Sequence, residues 1–300
     1  MCGISGYWSL DNTSPAVLSA MNQALTLRGP DAEGVFEQGP IHLGHRRLSV
    51  IDLAGGTQPM LSTDQRLALV FNGEIYNYRI LRTSLQQLGH TFVTLSDTEV
   101  LLHAYREYGH LMLCHLHGMF AFAIWDAAEQ TLFAARDHLG VKPFYYYWDG
   151  KTFAFASELK AILANPAVKR EVNLNAVGLF LECQYIPAPM TIYRHIYKLE
   201  AGHTLQFRHG QLQISRYWIP DYRHKLVLSE YEALDALEQR LRDSVTGMLI
   251  ADVPLGAFVS GGIDSSLIAA MMSDISAKPV DTFTVGFHGS TCHSEHLYAE

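Results

Sequence analysis

A cysteine at position 2, behind a methionine and ahead of Gly3, is the residue in this sequence best placed to do chemistry. Removal of Met1 would leave a thiol and a free α-amino group on one residue, a nucleophile carrying its own base. An α-amino group titrates near ~8 and a free thiol near ~8.5, so at neutral pH one can take the proton of the other, directly or through a water. A second concentration of chemistry is Ser260-Gly261-Gly262-Ile263-Asp264-Ser265-Ser266. Between a strand and a helix, this segment would gather backbone N–H groups at a helix N-terminus, where an anion is favoured. Gly261 and Gly262 allow close backbone approach, and Ser260, Ser265 and Ser266 can donate to oxygens. The common nucleotide loop ends in Gly-Lys-Ser/Thr. This one has no lysine and carries Asp264, which points to a pyrophosphate-releasing site with Mg²⁺ neutralising the phosphates.

The elements that must position these residues follow from the pattern of the chain. Up to about residue 217 short strands alternate with a few amphipathic helices, the profile of an α+β domain. Strands are expected over Gly3 to Leu10, 41–52 and 67–72, with a helix from Ser14-Pro15 to Leu25. A helix follows from about Tyr78 to Leu88, then a short strand, then Ser96-Asp97-Thr98-Glu99 as a capping box for a helix to Tyr108. Phe120 to Asp126 with Thr131 to Arg136, and Phe144 to Trp148 with Thr152 to Ala156, read as hairpins. Their strands are so apolar that both faces should be buried, as in a sheet held between layers. Tyr145-Tyr146-Tyr147 is most simply one such strand.

The texture changes near Tyr222, and Ser229-x-x-Glu232 caps a long helix to about Met248. We therefore expect domains at 1–217 and 229–300 with a linker at 218–228. In the second, strand Leu255 to Val259, the Ser-Gly-Gly turn, helix Ser265 to Met272 and strand Val280 to Val285 begin a parallel α/β unit. One such unit cannot close a sheet, so the chain is expected to be an excerpt of a longer one.

Three hundred residues with 48% apolar and 17% charged content can bury a sizeable core. A net charge of −8 without a Lys/Arg cluster argues against a nucleic-acid face; His45-Arg46-Arg47 is too short. No apolar run approaches the ~20 residues of a membrane span, and no basic and apolar leader opens the chain. Cysteines at 2, 114, 183 and 292 show neither metal spacing nor disulfide density, which fits the cytoplasm. His115 and His117 lack companions at ligand spacing and read as ordinary histidines.

Further segments join the two centres. They are Arg28-Gly29-Pro30-Asp31, Arg47-Leu48-Ser49-Val50-Ile51-Asp52, Phe71-Asn72-Gly73-Glu74-Ile75-Tyr76-Asn77, Ser96 to Glu99, Ala135-Arg136-Asp137 with Gly140-Val141-Lys142-Pro143, Ser157-Glu158-Leu159-Lys160 and Phe283-Thr284-Val285-Gly286-Phe287. In this order they resemble the class II glutamine amidotransferases, most closely the glutamine-hydrolysing asparagine synthetases. The resemblance implies an N-terminal nucleophile (αββα) glutaminase domain, followed by the start of an α/β adenine-nucleotide alpha-hydrolase-like (ATP-pyrophosphatase) domain.

It also implies roles. Cys2 would attack the glutamine side-chain amide and release ammonia. Arg47 and Asp97 would hold the α-carboxylate and α-ammonium of glutamine, with Leu48, Ser49, Val50 and Ile51 alongside. Asn72, Gly73 and Glu74 would supply the oxyanion hole and further contacts. These residue types suit the work: a guanidinium grips a carboxylate bidentately, and amide donors stabilise a tetrahedral oxyanion. On residue type alone, Arg47 could equally sit in a surface ion pair, Asp97 in a helix cap and Asn72-Gly73 in a tight turn. Arg28 to Asp31 reads as a turn shaping the pocket.

Val259, Ser260, Gly261, Gly262, Asp264 and Ser265 fall where the family contacts ATP and Mg²⁺, with Asp264 toward the metal and Val285 in the adenine pocket. The partners implied are glutamine and a carboxylate acceptor, aspartate in the type enzymes, and a homodimer is compatible with the chain. Three alternatives remain open. The same chemistry could act on a surface-sugar acid or a peptide. A β-lactam-forming or peptide-cyclising synthetase could carry an inert N-terminal domain, although the presence of Cys2, Arg47, Asn72 and Asp97 argues against that. A self-processing amidohydrolase would explain Cys2 but not the Ser-Gly-Gly loop.

Overall fold

The structure, a computed structural model, describes residues 1–9 and 15–286. The chain divides into two compact units, Met1–Pro220 and Asp221–Glu300. The first begins with β1 (Gly3–Trp8), α1 (Pro15–Gln23), β2 (Ala32–Gln38), β3 (Ile41–Arg47), β4 (Met60–Leu61), β5 (Leu67–Ile75), α2 (Tyr78–Gln87) and α3 (Asp97–Tyr108). It continues through β6 (Gly118–Asp126), β7 (Thr131–Arg136), β8 (Tyr145–Trp148), β9 (Phe153–Ala156), α4 (Leu159–Leu163), α5 (Leu174–Cys183), β10 (Ile196–Lys198), β11 (His203–Arg208) and β12 (Gln211–Arg216).

Two six-stranded antiparallel sheets result, in the orders β10-β8-β9-β1-β3-β2 and β12-β11-β7-β6-β5-β4. Ile4, Leu43, Ala68, Val70, Ala123, Trp125 and Phe155 belong to the apolar layer between them. Helices α1 and α4 cover the outer face of the first sheet through Leu18, Met21 and Ile162, which meet Tyr7 and Tyr147. On the second sheet α3 packs against β5 and α2 against α3. The layers run helix, sheet, sheet, helix. This explains why β6 and β7 are apolar at nearly every position: each has a buried layer on both faces.

Several elements depart from the pattern read in the sequence, each for a visible reason. β3 stops at Arg47, because residues 48–52 turn back with Asp52 at φ 49° and offer their carbonyls to the Arg47 guanidinium. The short strand expected between α2 and Ser96 does not form: the Val93 and Thr94 N–H groups are taken by the Glu99 carboxylate at 2.8 and 2.7 Å instead of by a ladder. The same contacts keep Glu99 from closing a capping box, and Ser96 caps α3 alone by accepting from the Thr98 N–H. β2 escapes the sequence pattern because its Glu33, Glu37 and Gln38 leave no apolar alternation. Expected Ser14 and Leu10 at the ends of α1 and β1, and Phe287, Cys292 and residues 298–300, lie outside the described residues.

The second unit holds α6 (Glu230–Met248), β13 (Gly256–Phe258), α7 (Ile263–Ile275) and β14 (Asp281–Phe283). Ser229 and Glu232 form the expected reciprocal capping box on α6. β13 and β14 pair in parallel with α7 between them in sequence. Val245, Met271 and Met272 make a small apolar cluster. Among the described residues no helix is long and apolar enough to cross a membrane.

Candidate active site

The inter-sheet core changes character at one end. Side chains along a strand alternate between faces, so residues of one parity share a layer. On β3 the inner positions run Ile41, Leu43 and then His45, Arg47; on β5 they run Ala68, Val70 and then Asn72, Glu74. On the first sheet Ile4 is followed outward by Cys2. Three strands thus carry their core residues up to one edge and there switch to a thiol, an imidazole, a guanidinium, an amide and a carboxylate. Cys2, Arg47, Leu48, Val50, Ile51, Gly73, Glu74 and Asp97 line a single cleft at that edge.

Cys2 is fixed by its backbone. The Arg28 Nε donates to the Cys2 carbonyl at 2.9 Å, and Arg28 is itself paired with Glu158 at 3.3 Å. Ser157 accepts from the Ile4 N–H at 3.0 Å. The Leu48 N–H lies 3.4 Å from the Cys2 Sγ, which is 3.5 Å from the Leu48 carbonyl. Burial pushes the thiol above its ordinary pKa, and the Leu48 N–H opposes this by favouring the thiolate. Asp31 accepts from the Ser49 N–H at 2.8 Å, so the Arg28–Asp31 stretch holds both walls of the cleft. Ser49 spends its N–H there and does not line the cleft.

Arg47 is buried, not surface-paired. Its Nη1 donates to the Leu53 carbonyl at 3.1 Å and its Nη2 to those of Ile51 and Asp52 at 3.2 and 2.6 Å. The loop is therefore wrapped around one side of the cation. Asp52 closes it by accepting from the Gly55 and Leu95 N–H groups, both at 2.8 Å.

Asn72 and Gly73 stand in the middle of β5, opposite Ala121 and Phe120, and form no turn. The Asn72 amide nitrogen is buried with no hydrogen-bond partner among the described residues. An unpaired buried donor is costly, and such exceptions accumulate where a ligand completes the bond. Gly73 passes so close to the Met119 carbonyl that a Cβ would lie 2.2 Å from it, which requires glycine at this position.

Two carboxylates complete the cleft. Asp97 opens α3 and accepts from the Ile75 N–H at 3.1 Å. Burial raises its pKa, while the Ile75 and Thr98 N–H groups and the Ser96 hydroxyl pull the other way. Glu74 is raised by burial and then by the Asp97 charge, against the pull of Lys142. Lys142, buried and lowered by desolvation, has Glu74 and Cys2 as the main charges favouring its ammonium. Within this chain the carboxylate pair is under-compensated, an arrangement that favours a cationic ligand.

The loop at the head of α7 is built differently. The Ser260 N–H donates to Ser265 Oγ at 3.2 Å, the two hydroxyls meet at 3.1 Å, and Ser265 Oγ also donates to the Gly262 carbonyl at 3.2 Å. Gly261 has φ 75° and Gly262 caps the helix. Asp264 is in the first turn, Val259 donates its N–H to the Phe283 carbonyl, and Val285 is exposed just beyond β14.

A profile described as glutamine amidotransferase domain matches residues 1–218. The chain belongs to the glutamine amidotransferase family. A second profile, described as asparagine synthase, matches residues 236–300. Among its relatives, this amidotransferase is 38% identical over 96% of its length to asparagine synthetase [glutamine-hydrolyzing] 3 of Bacillus subtilis, covering 48% of that protein. A putative asparagine synthetase of Methanocaldococcus jannaschii is also 38% identical, over 96% of this chain and 60% of its own length. The amidase chyE of Penicillium rubens is 34% identical over 92% of this chain and 43% of its own length. The chain spans about half the length of the curated relatives it matches. A glutamine phosphoribosylpyrophosphate amidotransferase from B. subtilis has the same fold, with a TM-score of 0.55 at 20% identity over 96% of this chain and 67% of its own. The fold class is that of the glutamine amidotransferase domain.

Two contributors to the amidotransferase cleft lie inside the sequence motifs without standing out as site residues. They are Arg28, which holds the Cys2 carbonyl, and Lys142, a buried lysine whose ammonium is favoured by the charges of Glu74 and Cys2. A lysine known only from its motif carries no sign of burial, so only the fold reveals it. Gln58, which also lines the cleft, belongs to none of the motifs.

Proposed function

We propose that this chain carries the glutaminase domain (1–217), a linker (218–228) and the first part of the synthetase domain (229 onward) of a glutamine-dependent asparagine synthetase. The observation that carries the first half is that Cys2, Arg47, Gly73, Glu74 and Asp97 line one cleft, and that beside it on β5 the buried Asn72 amide nitrogen has no hydrogen-bond partner among the described residues.

With Met1 removed, the Cys2 thiol gives its proton to the Cys2 α-amino group, and the sulfur attacks the side-chain amide carbon of glutamine. The S–C bond forms as the carbonyl π pair moves to oxygen. The oxyanion is held by the Asn72 Nδ2–H and the Gly73 N–H. Collapse expels ammonia, which takes the proton back from the α-ammonium and leaves a thioester. Water then adds with the same amine as base, and glutamate departs as the thiol is restored. The free side of Arg47 receives the α-carboxylate, and Asp97 with Glu74 receives the α-ammonium. A raised thiol pKa suits this scheme: it makes the thiolate strongly nucleophilic and its adjacent base necessary.

The loop Ser260 to Ser266 suits ATP by its N–H groups at the head of a full-length helix and by its hydroxyls. No group of three His, Cys, Asp or Glu side chains that could hold a metal exists among the described residues. Asp264 would therefore serve as one ligand of a Mg²⁺ carried mainly by phosphate oxygens. ATP would adenylate the acceptor carboxylate, and ammonia would displace AMP. We place the reaction in the cytoplasm, in keeping with free thiols at Cys2, Cys114 and Cys183.

The test is glutamine hydrolysis and pyrophosphate release by the full-length protein, screened over carboxylic acids with glutamine as nitrogen donor. Aspartate as the sole good acceptor establishes the reading. An alternative is the same chemistry on another acid, and a different acceptor in the screen would select it. Absence of glutamine hydrolysis would remove the first half.

A further inference from the structure

β4 pairs with β5 only through Met60↔Leu69 and Leu61↔Ala68, so beyond Leu69 that edge of β5 has no neighbouring strand among the described residues. In an antiparallel strand the N–H and C=O of one residue point to the same side and alternate from residue to residue. Phe71, Gly73 and Ile75 therefore turn their backbone groups to this open edge. The Ile75 N–H is held by Asp97. Both groups of Phe71 are held by side chains: its N–H donates to Gln58 Oε1 at 2.6 Å, and its carbonyl accepts from His45 Nε2–H at 3.1 Å. The Gly73 N–H lies between these two fixed points and opens into the cleft that Gly73 lines.

Gln58 makes a second connection: its Nε2 donates to Thr98 Oγ1 at 3.3 Å, in the first turn of the helix that Asp97 opens. Its carbonyl packs directly against Gly34 of β2, in the opposite sheet. His45 stands on β3 of that same opposite sheet. Two side chains rooted against the sheet that carries Cys2 thus grip the strand that carries Asn72 and Gly73.

From this geometry we infer that Gln58 and His45 are positioning residues of the glutaminase site. They clamp the Phe71 peptide so that the Gly73 N–H and the Asn72 amide meet the oxyanion formed on Cys2. The inference rests on the glutaminase reading of the cleft. Burial keeps His45 neutral, with its pKa lowered to about 4, which leaves Nε2–H available to the carbonyl across the physiological range.

A clamp of this kind acts on the transition state and not on substrate binding, so the two must be read separately. The full-length Gln58→Met variant removes both side-chain bonds at nearly constant volume. It should lower kcat for glutamine hydrolysis about 30-fold while KM stays within about threefold, since small misplacements of oxyanion donors cost one to two orders of magnitude. Glutamate γ-semialdehyde, whose adduct with Cys2 places an oxyanion in the hole, should bind about 30-fold more weakly. Glutamine binding in a Cys2→Ala background should change less than about threefold on adding Gln58→Met. His45→Gln, which retains a donor at the Nε2 position, should recover most of the activity lost in His45→Leu.

If both ligands weaken equally, if only KM moves, or if Gln58→Met behaves as wild type, the inference is overturned while the glutaminase reading stands. A wild-type protein that neither binds nor hydrolyses glutamine overturns both.

Discussion

The cleft at the end of the inter-sheet core and the loop at the head of α7 treat their polar groups in opposite ways. In the cleft, buried groups are left with bonding capacity unspent: the Asn72 amide has no partner, and Glu74 and Asp97 repel one another in a site that burial dries. In the loop, exposed hydroxyls satisfy each other, with Ser260 and Ser265 bonded directly. The difference lies in what each is attached to. The cleft is the continuation of three strands whose inner residues are already fixed by a complete apolar layer, so unfavourable polar groups can be held in place at its edge. The loop joins the three-residue strand β13 to α7 with only a small cluster beneath it, and its geometry comes from local turn chemistry.

The sharpest break between the regions is Cys2→Ala. Glutamine hydrolysis in the full-length protein should fall by at least about 10⁴-fold, the scale seen when a covalent nucleophile is removed. Ammonia-dependent pyrophosphate release should survive. Steady-state assays with each nitrogen donor check this, and residual glutamine hydrolysis near the wild-type rate would exclude Cys2 as nucleophile.

Next is Asn72→Ala. Loss of an oxyanion donor should lower kcat about 10²- to 10³-fold. Because the deleted N–H₂ group has no partner, the donor-loss penalty that normally accompanies such a change is absent, and stability in urea should move by less than about 1 kcal/mol. A large loss of stability would mean that the amide is structural and that the cleft resembles the loop after all.

The carboxylate pair gives a pH signature that the loop lacks. Glu74 and Asp97 hold protons more tightly in the folded state than in the unfolded one, so the folded protein binds more protons between their ordinary and raised pKa values. Their contribution to stability is whole below about pH 4 and is lost as pH rises through the raised values. Glutamine, which brings an ammonium, should stabilise increasingly over that window. Melting curves against pH should show the ligand-free Glu74→Gln variant gaining roughly 2–5 °C over wild type at pH 8, and no difference near pH 4.

The smallest expected effect on glutamine hydrolysis comes from Gly261→Ala. At φ 75° an alanine is strained by about 1 kcal/mol, which should distort the loop and reduce ATP-dependent pyrophosphate release about tenfold. Ammonia production from glutamine should be unchanged. A parallel fall in both activities would mean that the cleft and the loop are coupled and that the contrast between them does not extend to function.

Much of the fold was legible because hydrophobic period and capping chemistry are local. The hairpins β6-β7 and β8-β9, the double-faced burial of their strands, and the Ser229–Glu232 box on α6 all follow from residues within a few positions of one another. What escaped, though equally local, was set by competing backbone partners that the composition does not reveal. β2 pairs with β3 despite its polar composition, because β3 offers a free edge. The stretch before Ser96 has the composition of a strand, yet its N–H groups are claimed by Glu99. At the site, residue types suggested Cys2, Arg47, Asn72 and Asp97 from their motifs, but left Arg47 open to a surface ion pair and Asn72-Gly73 to a turn. Burial of the guanidinium and the mid-strand place of Asn72 removed both readings.

By itself the sequence determined which functional groups are present, the alternation that sends one parity of each strand inward, and the caps and turns, since these depend on neighbouring residues and on backbone geometry. Only the tertiary structure decided that the inward rows of β1, β3 and β5 end at the same edge, that Gln58 and His45 meet the Phe71 peptide there, and that two carboxylates share one cleft. Those relations join residues tens of positions apart across two sheets, and they exist only once the apolar layer between the sheets has formed and fixed their register.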